Sequence, residues 1–315
     1  MRKLLPLAAL AALAAFAASA YGSPAAKIAV CHRTASAKNP YVRIVVSGTA
    51  LKAAQTSADD IVPAPKACPK ALLTANGGGT EFDVKLLGVA EQPDVGDPDG
   101  TGAAVLRLRK GQARVCFKLD AQNIATPTAA HIHQGGPEDS GNVVVPLGTS
   151  TGCVGAPRAV VNAILASPSA YYVNMHTADF PNGAVRGQLA PVAGVALFTS
   201  SMTGANEKPA AADPNGSGTG QFLVDAAKGR LCYALSAKGI VLPSLAAHIH
   251  KGDANTAGPV VIPFTAPGAN GQSSGCVTAD TTLLQDLVAN PGNYYSNVHT
   301  SQFAGGAVRG QLTAA

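Results

Sequence analysis

Six of the seven histidines in the 315-residue chain form two sets of three with the same arrangement. Each set has a His-x-His pair followed at a distance by a single histidine in Asn-x-His-Thr. The sets are His131, His133 and His176, and His248, His250 and His299. Residues two apart on a strand project to the same face, so each pair should point together. Three neutral imidazoles converging from two strands favour Zn²⁺ or Cu²⁺, with a fourth position left for water or another ligand.

Two other interpretations of the histidines stay open, namely a structural hydrogen-bond network and a site for a different ligand. An arginine follows each set, Arg186 and Arg309, both in Val-Arg-Gly-Gln-Leu. A guanidinium close to three imidazoles would repel a cation and favour an anion or a carboxylate. Glu91 and Glu207 recur at matching places, and each is expected to pair with the arginine of its own repeat in a structural role.

The histidine sets lie in a duplicated region, with a first repeat at 78–190 and a second at 194–315. The repeat distance is 116 residues at Phe82 and Phe198. A period this long indicates a duplicated domain, because solenoid repeats have about 20–50 residues. Short runs of alternating hydrophobicity separated by Asp-Pro-Asp-Gly-type turns predict strands, and one amphipathic stretch per repeat predicts a helix. We therefore predict an all-β protein with two tandem antiparallel β-sandwich domains, each with one short helix.

Residues 1–75 lie before the two repeats and have no repeat partner. A positive start, an apolar alanine-rich run and Ala18-Ser19-Ala20 predict a secretory signal peptide over residues 1–20. The apolar run is shorter than the ~20 residues of a membrane span, so no transmembrane anchor is expected after cleavage. Residues 21–75 contain two cysteines and a short strand pattern, which predicts a small disulfide module.

Cysteine usage agrees with export, because an even number of cysteines in a secreted chain predicts disulfides. The six are Cys31, Cys68, Cys116, Cys153, Cys232 and Cys276. The repeat makes one link per module the simplest pairing, and links between the repeats are the alternative. The simplest pairing is Cys31–Cys68, Cys116–Cys153 and Cys232–Cys276.

Composition and motifs exclude several function classes. The formal net charge of +5 would fall by two on loss of the leader, and the remaining charges are scattered. A nucleic-acid surface, which needs a basic patch, is therefore not expected. No Gly-x-Ser-x-Gly elbow, phosphate-binding loop or dinucleotide fingerprint occurs. Oxidised cysteines would not serve as nucleophiles, so an enzyme is not the favoured interpretation.

The order of motifs resembles the chordin-type (CHRD) domain family, and both repeats carry it. The motifs are Ala-His-Ile-His-x-Gly, Val-Val-x-Pro, Tyr-Tyr-x-Asn-x-His-Thr and Gly-x-Val-Arg-Gly-Gln-Leu. The family was first described in chordin, an extracellular antagonist of bone morphogenetic proteins, and occurs in many bacterial exported proteins. The resemblance implies an extracellular β-rich domain, as in a bacterial exported protein. It does not imply growth-factor binding, because the cysteine-rich modules that chordin uses for that contact have no counterpart here.

From these observations we expect a secreted or periplasmic, non-enzymatic binding or surface-associated protein with an extracellular protein or glycan as partner. The alternative is a copper- or zinc-binding protein with one histidine cluster per repeat. The His-x-His strand and distant histidine are also similar in pattern to the copper-binding strands of copper/zinc superoxide dismutases. Superoxide dismutation is therefore a further, weaker alternative.

Overall fold

A computed structural model describes residues 27–34, 41–47, 64, 67–68 and 79–315. The predicted signal peptide lies outside the described residues. In the N-terminal module, β1 (Lys27–Arg33) and β2 (Tyr41–Ser47) pair antiparallel. The Cys31–Cys68 disulfide, with Cα atoms 5.6 Å apart, closes this small sheet over a core formed by Cys31 and Tyr41.

The first repeat is one antiparallel sheet of eight strands. They are β3 (Thr80–Leu87), β4 (Thr101–Arg109), β5 (Arg114–Gln122), β6 (Ala129–Gln134), β7 (Val143–Leu147), β8 (Thr151–Gly155), β9 (Tyr171–His176) and β10 (Val185–Gln188). Their spatial order is β7-β6-β9-β10-β3-β4-β5-β8, and the edge strands β7 and β8 contact each other. The sheet therefore curls into a near-barrel around the apolar core of this repeat.

The second repeat has the same topology with one added strand. Its strands are β11 (Val195–Thr203), β12 (Ser217–Asp225), β13 (Arg230–Lys238), β14 (Ala246–Lys251), β15 (Val260–Phe264), β16 (Gln272–Thr278), β17 (Tyr294–His299), β18 (Val308–Gln311) and β19 (Thr313–Ala314). The order β15-β14-β17-β18-β11-β12-β13-β16 matches that of the first repeat, and β19 pairs with β11. The predicted all-β duplication is confirmed, with each domain built from one continuous curled sheet.

Each repeat has one short helix packed on its core, as predicted. Helix α1 (Arg158–Ala166) buries Val161 and Ile164, and α2 (Thr281–Ala289) buries Leu284 and Leu287. The three-residue spacing places each pair on one face of its helix. Burial of each such side chain contributes roughly 1.5–3 kcal/mol. The helix α2 begins at Asp280, whose carboxylate accepts a 2.9 Å hydrogen bond from Leu283 N and caps the first turn.

The predicted disulfide pairing is confirmed. Cys116 and Cys153 lie directly opposite each other on β5 and β8, as do Cys232 and Cys276 on β13 and β16. Each disulfide therefore fixes an edge strand to its neighbour. Three disulfides indicate folding in an oxidising compartment. Among the described residues, no helix is long and apolar enough to cross a membrane.

The two repeats contact each other through a small apolar cluster, here called the interface cluster. The first repeat contributes Leu87, the last residue of β3, and Val89 from the turn that follows. The second repeat contributes Leu223, Cys232 and Ala234 from the outer face of β12 and β13. Gln221 lies beside this cluster. Its side chain accepts a 3.2 Å hydrogen bond from Val89 N and donates a 2.9 Å hydrogen bond to the Gly100 carbonyl. A buried turn of one domain is thus held on the sheet of the other.

Candidate functional site

Two neighbouring strands bring the first histidine set together. On β6, His131 and His133 share one face while Ile132 lies fully buried in the core on the other. The adjacent strand β9 ends at His176, and its register places Asn174 opposite His131. One ligand atom from each histidine lies within 4.8 Å of the others. The structure therefore brings the three predicted residues into one cluster.

The second histidine set repeats this geometry. His248 and His250 lie on β14, and His299 ends the adjacent strand β17. One ligand atom from each of these histidines also lies within 4.8 Å of the others. The centroids of the His248 and His299 rings are 5.1 Å apart, against 5.0 Å between the rings of His131 and His176. Two equivalent clusters exist, one per repeat.

Backbone carbonyls determine which ring nitrogen of these histidines carries a proton. His133 Nδ1 lies 2.8 Å from the Gly141 carbonyl, and His176 Nδ1 lies 3.0 Å from the Pro181 carbonyl. A carbonyl only accepts, so each Nδ1 carries the proton and each Nε2 presents a lone pair to the cluster. His131 turns its Nδ1 inward instead, 3.1 Å from His176 Nε2. Carbonyl-anchored imidazoles of this kind are typical of metal-ligating histidines.

The same anchoring occurs in the second repeat. His250 Nδ1 donates to the Gly258 carbonyl over 2.8 Å, and His299 Nδ1 donates to the Ala304 carbonyl over 3.0 Å. The inward atoms are again one Nδ1, from His248, and two Nε2. All three of these nitrogens are buried and lack a hydrogen-bond partner. A structural hydrogen-bond network would satisfy these atoms, so the second repeat argues against that alternative.

Unsatisfied polar atoms concentrate at the two clusters. In the part of the chain that the structure describes, ten buried side-chain nitrogen or oxygen atoms lack a partner. Eight of them belong to the histidine clusters and to the glutamate, asparagine and arginine side chains beside them: Glu91, His133, Glu207, His248, His250, Asn297, His299 and Arg309. A buried unsatisfied group costs about 1–3 kcal/mol, and native proteins tolerate few of them. Six of the eight belong to the second repeat, and Glu91 and His133 of the first repeat are equivalent to two of these, Glu207 and His250.

The electrostatic environment keeps several of these imidazoles neutral. Burial lowers the pKa of His131, and the neighbouring histidines lower it further. Burial and the same kind of neighbours lower the pKa of His248 to about 4. For His133 and His250, burial is again the largest cause of a lowered pKa. A metal ion binds neutral imidazole, so these residues are in the ligating protonation state at neutral pH.

Each cluster also contains an asparagine that the sequence motifs did not single out as a site residue. Asn174 is 2 % exposed, and its Oδ1 lies 3.1 Å from His176 Nε2. Its side chain also hydrogen-bonds Glu91. The signal for this residue was present in Tyr-Tyr-x-Asn-x-His, because Tyr172, Asn174 and His176 alternate on one face of β9. Asn297 occupies the same place in the second repeat and hydrogen-bonds Glu207.

A buried glutamate lies behind each asparagine. Burial raises the pKa of Glu91 to about 8, although the charge of Arg186 and the hydrogen bond from Asn174 oppose the shift. Burial likewise raises the pKa of Glu207 to about 7, with Arg309 and Asn297 opposing it. Neither glutamate forms an ion pair with its arginine in the described part of the chain, so the expected pairing is limited to the effect of the arginine charge on the glutamate pKa. Both carboxylates are buried beneath the clusters.

The two arginines lie beside the clusters and stack on tyrosines. The Arg186 guanidinium carbon is 3.3 Å from the centroid of the Tyr172 ring, and His133 stacks on the same ring at 4.8 Å. Arg186 also donates to the carbonyls of Gly136 and Asp139. In the second repeat, Arg309 packs in the same way on Tyr295. The arginine positive charge lowers the pKa of the neighbouring histidine, and the anion role predicted for the arginines stays a prediction.

The arrangement of motifs and sheet agrees with a comparison against known families. The profile of the CHRD domain matches residues 82–189 and 198–312, which is well over half of the chain. The chain belongs to the CHRD domain family. Each CHRD domain contains one complete histidine cluster together with its asparagine, glutamate and arginine. A search of curated proteins finds no match to the chain.

Proposed function

We propose that each CHRD domain of this protein binds one transition-metal ion, Cu²⁺ or Zn²⁺, through its three histidines. One observation carries the proposal: in the second repeat, three imidazole nitrogens converge and are buried without hydrogen-bond partners. The three histidines of the first repeat have the same arrangement. Imidazole is a preferred ligand of copper and zinc. Magnesium and calcium take oxygen ligands, and neither cluster of three ligating groups contains a carboxylate.

The local structure supports the proposal in two further ways. The carbonyls of Gly141 and Pro181 hold two imidazoles of the first cluster with their Nε2 atoms inward, which fixes the rings before a metal arrives. The lowered pKa values reduce competition from protons at neutral pH. The chain would therefore act outside the cytoplasm as a two-site metal-binding protein. This proposal is compatible with the expected non-enzymatic role and with a protein or glycan partner, which remain predictions.

Superoxide dismutation receives no added support from the clusters. Within the described ranges, each group of ligating residues contains three histidines and no bridging histidine or carboxylate for a second metal. A dinuclear copper–zinc site would need such a ligand. A steady-state superoxide assay of the copper-loaded protein would test this weaker alternative directly.

The first experiment is metal content by mass spectrometry after loading with Cu²⁺ or Zn²⁺ and desalting. We expect about two ions per chain for the wild type and about one for His133→Ala or His250→Ala. The double variant should bind none. His32→Ala changes the one histidine outside the clusters and should leave the content at two. An equal metal content in the wild type and the double variant would reject the proposal.

Thermal unfolding gives an independent measure. A metal that binds only the folded chain stabilises it by about 2.7 kcal/mol at a concentration of 100 Kd. The melting temperature should therefore rise with added Cu²⁺ or Zn²⁺ in the wild type. It should stay constant in the double variant, and a wild-type protein without any rise would contradict the proposal.

A further inference from the structure

We infer that Asn174 and Asn297 are the fourth protein ligands of the two metal sites, each binding through its side-chain oxygen. The inference rests on the proposed metal binding and adds the ligand that completes each site. It also assigns Glu91 and Glu207 as positioning residues, because each holds the amide of its asparagine in the required orientation.

The amide oxygen of Asn174 lies close to a histidine of the first cluster. Asn174 Oδ1 is 3.1 Å from His176 Nε2. A tetrahedral ion with bonds of about 2.1 Å separates its ligand atoms by about 3.4 Å. The asparagine oxygen is thus already near ligand spacing from a histidine nitrogen.

The two atoms that face each other, His176 Nε2 and Asn174 Oδ1, are both hydrogen-bond acceptors. The Pro181 carbonyl accepts the Nδ1 proton of His176, so His176 Nε2 has only a lone pair. An amide oxygen is also an acceptor. The two atoms therefore face each other without a proton between them. A cation placed among these acceptors satisfies all of them at once.

The amide of Asn174 is oriented by Glu91. The hydrogen bond from Asn174 lowers the Glu91 pKa and so opposes the effect of burial, which is the effect of an NH₂ group that donates to the carboxyl oxygen. This contact directs the NH₂ group to Glu91 and leaves the oxygen for the histidines. Asn297 makes the same contact with Glu207, and its Oδ1 is buried without a partner.

A glycine beside each glutamate leaves space for its carboxyl group. A Cβ atom on Gly183 would lie 2.3 Å from the Glu91 carboxylate, and one on Gly306 would lie 2.4 Å from that of Glu207. Only glycine leaves this room in each repeat. The glutamate–asparagine pair is therefore built into both domains in the same form, and four protein ligands are the number found in structural zinc sites.

The test uses the full chain with one site removed, so that only the second site is measured. In a His133→Ala/His176→Ala background, Asn297→Leu should weaken Cu²⁺ binding at least 10-fold and change the copper EPR spectrum. Asn297→Asp keeps an oxygen at this place and should bind Cu²⁺ at least as tightly as the background protein. The matched control is Asn174→Leu at the removed site, which should leave both the affinity and the spectrum unchanged.

A measurement on the wild-type protein covers the case in which Asn297→Leu does not fold. Copper-loaded protein with ¹³C at the asparagine side-chain carbonyl should show a ¹³C coupling to copper by ENDOR. Absence of this coupling in a chain that binds two ions overturns the inference and leaves the proposed function standing. An unchanged Cu²⁺ affinity and an unchanged EPR spectrum in a folded Asn297→Leu variant would also overturn the inference and leave the proposed function standing. A wild type that binds no metal overturns both proposals.

Discussion

The outer face of β12 and β13 in the second repeat is apolar and covered, whereas the equivalent face of β4 and β5 in the first repeat carries charge. Leu223 and Ala234 are buried in the interface cluster. At the equivalent positions the first repeat has Arg107 and Lys118, and Arg107 forms an exposed ion pair with Glu81. The two domains differ here although their strand order is the same.

The histidine clusters show the opposite behaviour, because nearly every contact in one cluster recurs in the other. The carbonyl anchors, the stacked tyrosine and arginine, and the buried glutamate all have equivalents. We conclude that the geometry of the histidine cluster is a property of each CHRD domain, whereas the interface is a property of the tandem chain. The following variants test this division.

The largest effect is expected for Leu223→Arg, which gives the second repeat the residue that the first has at this place. A buried arginine without a partner would cost about 3–5 kcal/mol and separate the domains. Calorimetry should then show two unfolding transitions, with metal content still at two ions per chain. The matched variant Arg107→Leu removes only an exposed ion pair and should change stability by about 1 kcal/mol or less. Loss of metal binding in Leu223→Arg would contradict the division.

A smaller loss is expected for Gln221→Val, which introduces the valine found at the equivalent position 105. The change leaves Val89 N buried without a partner, whereas the Gly100 carbonyl keeps its hydrogen bond from Gly88 N. We expect a loss of about 1–3 kcal/mol, which is the cost of one such group. Chemical denaturation of the metal-free protein measures this value, and an unchanged midpoint would show that Gln221 does not couple the repeats.

Within a single domain, Gly306→Ala should destabilise by about 2 kcal/mol. Its Cβ would collide with Glu207, and its φ of 130° is unfavourable for any residue with a side chain. Gly305→Ala is the matched control, because a Cβ there meets nothing within 4 Å. Gly183→Ala should behave like Gly306→Ala if the two domains are equivalent at this point. Equal stability of the Gly305 and Gly306 variants would show that a Cβ atom at position 306 does not collide with Glu207.

The smallest effect concerns pH. Burial and the nearby charge of Asp99 raise the pKa of Asp97 to about 6, from a usual value of 3.8. The stability that depends on protonated Asp97 is complete below pH 3.8 and is lost as the pH rises through about 6. Asp99→Asn introduces the asparagine that the second repeat has at position 215, removes the repulsion and keeps an acceptor for Gln272. We expect a gain of about 0.5–1 kcal/mol at pH 7 and none at pH 3.5, as measured by denaturation at both values.

Much of the fold follows from local sequence patterns. Short runs of alternating hydrophobicity predicted strands, and one such run, 105–109, lies within β4 (Thr101–Arg109). The repeat symmetry predicted the disulfide pairing, because equivalent cysteines must occupy equivalent positions. The histidines were predicted to converge because strand geometry fixes which side chains share a face. These features depend on short-range periodicity, which the sequence carries directly.

The missed features depend on contacts between distant segments. Local periodicity shows only that Asn174 belongs to a strand. Its contacts with Glu91 and His176 form only when β9, β10 and the turn after β3 assemble. The interface cluster could not be predicted either, since an apolar residue such as Leu223 is equally suited to a core. Local periodicity does not specify which faces of two folded domains meet.

The contact between the repeats is head-to-tail, with a turn of one domain on the sheet of the next. Heterologous contacts of this kind can propagate into filaments when each unit offers both surfaces. Here the first domain has a charged sheet face, and the turn of the second has Thr203 and Ala205 where the first has Leu87 and Val89. Both ends of the pair therefore lack the complementary apolar surface, and polymerisation through this contact stops at two domains.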